Sequence, residues 1–122
     1  MTRFLVHNSV RKEFVQHARA IASQFKVGDP ADPSVVMGPL IRESHRAKVE
    51  TFIASGQEQG ANLICGGDRP AGLEKGFFTE ITLFDNVTND MTIAQEEIFG
   101  PVGVVIGFDT DEEAIAIAND SR

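Results

Sequence analysis

The stretch Val102 to Phe108 is continuously apolar apart from two glycines, Gly103 and Gly107, as a strand covered on both faces would be. Thr110-Asp111-Glu112-Glu113 follows at once, a capping box for a helix carrying Ala114, Ile115, Ile117 and Ala118. A buried strand running into an amphipathic helix needs strands beside it and helices above it. The pair therefore points to an α/β fold, a layered sheet with helices packed on it.

The rest of the chain supplies those neighbours. Arg3 to His7 is a short apolar run that reads as a strand, and it is the strand most expected to be left at an exposed edge. From Val10 the apolar positions Val10, Phe14, Ala18, Ile21 and Phe25 fall on one helical stripe, with Asn8 or Ser9 as the cap. Gly28-Asp29-Pro30 should stop this helix. Arg42 to Gln59 reads as a second helix, with Val49, Phe52 and Ile53 as a narrow buried face and Gly60 as its stop. Ala61 to Cys65 and Gly76 to Phe84 are the remaining strands, joined by a loop that opens with Gly66-Gly67. With 122 residues there is room for one domain. Both ends enter regular structure abruptly, as in a piece of something longer.

Charge and cysteine content exclude several functions. The net charge of −7 repels phosphate backbones and anionic headgroups, so neither nucleic acid nor a membrane is an expected partner. No apolar stretch approaches the roughly twenty residues of a bilayer crossing, and no signal-peptide pattern opens the chain; the expected location is the cytoplasm. Cys65 is the only thiol. It stands in the apolar run Leu63-Ile64-Cys65 with no base beside it, as a small buried hydrophobe would. His7, His17 and His45 are scattered over different elements, and no metal site is expected. Gly66-Gly67-Asp68 lacks the spacing and the Lys-Ser/Thr of a phosphate-binding loop, and a turn explains it.

Gln95-Glu96-Glu97-Ile98-Phe99-Gly100-Pro101 resists such an ordinary reading. Two carboxylates and an aromatic ring crowd a Gly-Pro turn just before the most buried strand. A carboxylate there can accept two hydrogen bonds from a vicinal diol, and a neighbouring Phe can cover a flat ring; together they suit a ribose and its base. The solvated carboxylate pair and the core Phe remain the competing reading.

The ordered set Gly28-Asp29-Pro30, Met37-Gly38-Pro39-Leu40-Ile41, Gly60-Ala61, Gly66-Gly67 and Glu96-Glu97-Ile98-Phe99-Gly100-Pro101-Val102 resembles the catalytic domain of the aldehyde dehydrogenase superfamily. Phe108, Glu112-Glu113-Ala114-Ile115 and Ala118-Asn119-Asp120-Ser121 continue the likeness. The resemblance implies that residues 1–122 are a partial catalytic domain without the dinucleotide-binding domain. It also implies that Glu97 binds the nicotinamide-ribose hydroxyls of NAD or NADP and that Phe99 packs beside the nicotinamide. The family's nucleophilic cysteine lies a few residues before the Thr-Arg found here as Thr2-Arg3, and Cys65 is not at that position. No catalytic residue is therefore expected in the chain, and alone it should be inactive. The whole enzyme, a homo-oligomer, would oxidise an aldehyde to a carboxylic acid. Glu80-Ile81-Thr82 departs from the family's Pro-Thr and leaves that turn open to question. The alternative is a stand-alone acidic α/β binding or interaction module derived from the family.

Overall fold

The computed structural model describes residues 3–120; Thr2 and Ser121, two of the motif positions above, lie outside the described residues, as do Met1 and Arg122. In chain order the elements are β1 (Arg3–His7), α1 (Asn8–Ala22), α2 (Glu43–Glu58), β2 (Asn62–Cys65), β3 (Thr82–Asp85), α3 (Thr92–Gln95), β4 (Val102–Phe108) and α4 (Asp111–Asn119). They form one four-stranded sheet of order β1-β4-β3-β2. β4 is parallel to both β1 and β3, while β2 runs antiparallel to β3.

Period-two alternation divides β4 between two cores. Val102, Val104 and Ile106 face a large cluster with Val49 and Ile53 of α2, Ile93 of α3 and Ile117 of α4; Val105 faces a smaller one with Phe14, Val15 and Ala18 of α1. Helices thus cover both sides of the sheet, as the apolar run required. β1 forms one edge of it. Thr110 caps α4 by accepting from Glu113 N at 3.2 Å, and the Glu113 carboxylate reaches back to Asp109 N at 2.8 Å, one residue earlier than in the standard box.

Three expectations are corrected and one element is new. The cap of α1 is neither Asn8 nor Ser9: the His7 ring accepts from Ser9 N at 3.1 Å, so the helix begins directly where β1 ends. α1 ends at Ala22, well before Gly28, because residues 26–28 pair with the backbone of Val36 and Met37. Only Thr82–Asp85 of the stretch from Gly76 is strand; Phe77 O and Glu80 N bond to Leu40 N and Asp68 O, in loops. Finally, α3 is a single turn, too short to leave a period in the sequence. Among the described residues no helix is long and apolar enough to cross a membrane.

Candidate functional site

Glu97 and Phe99 stand on the link between α3 and β4, whose backbone is pinned on both sides of Phe99. Upstream, Ile98 is 1 % exposed within the large core cluster. Downstream, Gly100 O accepts from Val102 N at 2.8 Å and Pro101 O accepts from Thr82 N at 2.8 Å, tying the turn to the start of β3. Phe99 itself has φ +54° and is 72 % exposed. A bulky residue at positive φ is a genuine outlier, and such strain of about 1–3 kcal/mol persists where the surroundings over-determine it. Here the strained backbone turns an aromatic ring into solvent.

The ring does not stand alone. Glu97 and Phe99 both line a groove of about 1010 Å³, floored by the first residues of β3 and β4 and flanked by Phe14, Ala18 and Ile21 of α1. Its lining is mostly apolar, with Glu97 the one carboxylate and His17 the one imidazole on it. An exposed aromatic and a carboxylate two residues apart on one wall can cover a flat ring and accept hydrogen bonds from a diol attached to it. Of the competing reading, the core Phe is not what is seen, whereas Glu96 and Glu97 are both exposed, as a solvated pair would be.

The other sequence candidates lie elsewhere. Cys65 sits beside Gly66 and Glu80 in a smaller depression of about 610 Å³; Ile81 lines both hollows. The thiol is half-buried, its Sγ donates to Ile81 O at 3.9 Å, and burial pushes it above the ordinary thiol range, which keeps it protonated near neutral pH. Gly66 and Gly67 make a turn, at φ +72° and +100°; a Cβ on Gly66 would overlap Ile81 O. At the departure from the family pattern, the Thr82 hydroxyl accepts from Gly67 N at 2.9 Å and donates to Glu80 O at 3.0 Å, so Thr82 holds the turn with Ile81 in the proline's place. His7 caps α1, His17 is exposed on α1, and His45 is half-buried on α2. Among the described residues no group of three or more His, Cys, Asp or Glu side chains is placed to hold a metal.

Sequence reasoning missed the groove. Ile21 and Phe25 read as core, yet they are 52 % and 44 % exposed and line the hollow beside Phe99. The stripe from Val10 to Phe25 was legible, but not that the helix would end at Ala22 and leave Phe25 beyond it.

The model of the aldehyde dehydrogenase family matches residues 1–122. Betaine aldehyde dehydrogenase of Brucella anthropi is 46 % identical over 123 residues, covering 99 % of this chain and 25 % of that protein. An aldehyde dehydrogenase of Mycobacterium tuberculosis complexed with NAD+ superposes with a TM-score of 0.97 at 53 % identity, covering 99 % of this chain and 25 % of that one. A variant of aldehyde dehydrogenase C from Pseudomonas syringae, complexed with NAD+ and octanal, gives 0.95 at 43 % identity, covering 98 % and 25 %. The chain spans about a quarter of the length of the relatives it matches.

Proposed function

The chain belongs to the aldehyde dehydrogenase family, and from that premise we propose that it forms one part of the nicotinamide-ribose pocket of an NAD-dependent enzyme that oxidises an aldehyde to a carboxylic acid. The observation that carries this reading is Phe99, held at φ +54° and 72 % exposed on the wall it shares with Glu97. The Glu97 carboxylate accepts hydrogen bonds from the ribose hydroxyls, and the Phe99 ring covers one face of the nicotinamide. NAD, when bound, accepts the hydride. Use of NAD is supported by the relatives solved with NAD+.

The nucleophile and the dinucleotide-binding domain come from outside these 122 residues. Cys65 does not substitute for the nucleophile: its thiol stays protonated and lines a different hollow. The working enzyme is a homo-oligomer, and a single half-buried cysteine with an acidic surface suits the reducing cytoplasm.

Two measurements test the reading. The 122-residue chain, given aldehydes and NAD, should form no NADH above a blank; formation that is lost in Cys65→Ser would make Cys65 the nucleophile. In a full-length enzyme carrying this segment, Glu97→Gln should slow hydride transfer more than it weakens NAD binding, because a loosened ribose lets the ring stray from the reacting carbon. An unchanged hydride-transfer rate would mean that Glu97 is only a solvated carboxylate.

A further inference from the structure

The turn that exposes Phe99 packs against a residue on another element. Gly100 lies flat against α2: a Cβ built on it would come within 2.7 and 3.0 Å of the two γ-methyls of Val49. The 2.7 Å contact is closer than real Cβ atoms come and the 3.0 Å one is tight, so the contact admits only glycine unless Val49 gives way. Val49 is fully buried, with Ile53, Phe84 and Ile98 in the same core cluster, and has little room to move. Ile98 anchors the residue before Phe99 in that same cluster, and Gly100 rests on Val49 just after it. With both neighbours fixed against the core beneath, Phe99 has its αL backbone imposed on it and its ring sent outward.

We propose that Val49 is a positioning residue for Phe99: its γ-methyls form the surface on which Gly100 is seated, and this seat sets the angle at which the ring enters the groove. The inference rests on the reading of Phe99 as the cofactor-ring contact for its consequence in catalysis, but its structural content stands without a cofactor. Val49 touches no ligand. Its effect is exerted at the Gly100 seat, so it should be undone by a compensating change of size at that contact.

The test uses three variants of the 122-residue chain, Gly100→Ala, Val49→Ala and the pair, with the Phe99 backbone read by NMR from its HN–Hα coupling and carbon shifts, and the fold by far-UV circular dichroism. Gly100→Ala should move Phe99 out of αL or unfold the chain. Val49→Ala should leave Phe99 averaging between conformations. The pair, in which methyls lost at 49 make room for the one gained at 100, should recover the αL signature. Retention of αL in Val49→Ala, failure of the pair to recover it, or unfolding of all three variants would overturn the proposal. In a full-length enzyme carrying the segment, Gly100→Ala should lower the hydride-transfer rate at least tenfold with a smaller change in KM for NAD, and the pair should restore most of it; rescue confined to KM would also overturn it. Phe99→Ala serves as the separate control. If it leaves hydride transfer unchanged, the cofactor reading fails, while the NMR result still decides what Val49 does.

Discussion

Thr79 is 3 % exposed, and its hydroxyl is buried without a hydrogen-bond partner among the described residues. A buried hydroxyl in that position carries a desolvation penalty of about 1–3 kcal/mol that nothing returns. Thr79→Val keeps the shape and removes the hydroxyl, so it should leave stability unchanged or raise it by about 1 kcal/mol. Urea unfolding would show this directly, and a loss of more than about 1 kcal/mol would mean that the hydroxyl is satisfied after all. Phe99 is the opposite case, since its strain is spent at the surface. Nothing in the letters around it announces positive φ, because the usual signals are Gly and Asn and this position has neither. The motif marked Glu97 and Phe99 as a pair. How the ring is turned outward depends on Val49, which lies 50 positions before Phe99 in sequence and was legible only as a core residue.

At the scale of elements, α2 organises the loop that joins β2 to β3. Arg46, 8 % exposed, donates to Gly76 O at 3.0 Å and stacks over Phe77, while Arg69 grips Glu50 with two hydrogen bonds of 2.6 and 3.0 Å. The Arg69 guanidinium, with Arg46 behind it, holds the Glu50 carboxyl below its ordinary range. A lowered folded-state pKa adds stability that is present above the unfolded value and is lost as pH falls through the folded one. Arg69→Ala should therefore destabilise the chain only slightly at neutral pH, Arg69 being well exposed, and by nothing measurable in acid. Urea midpoints of the two proteins should converge below the carboxylate range; a gap that persists there would assign the effect to packing. The legibility of each element follows from the range of its signals. β4 and α4 were readable to within a residue because burial on both faces and the Thr110 cap are written locally. α2 was readable too, since Gly60, at φ +93°, closes it. β3 was read too long because Phe77 and Thr79 alternate like a strand but have no strand to pair with beyond the Gly66-Gly67 turn. The end of α1 was misplaced because the pairing of Val27 with Met37 is set by a loop.

For the whole molecule, the apolar groove and the outer edge of β1 lie on one side of the sheet's parallel half, with Phe4 of β1, 42 % exposed, on the groove's wall. Exposed apolar surface beside an unpaired strand edge favours association. The isolated chain should form dimers or larger species as its concentration rises, with light scattering as the check; a monodisperse monomer throughout would count against it, and Phe4→Lys should reduce the effect. The order of the strands also governs when the molecule can take shape. His7, at the end of β1, bonds to Asp109 at the end of β4 across 102 positions of sequence, and β3 too finds its parallel partner only in β4. β1 therefore cannot pair until β4, about a hundred positions later in the sequence, has been made. Until β4 is present, the amphipathic stripe of α1 lacks the sheet face that it covers. Closing so long a loop makes this sheet slow to form by comparison with helical segments of equal length.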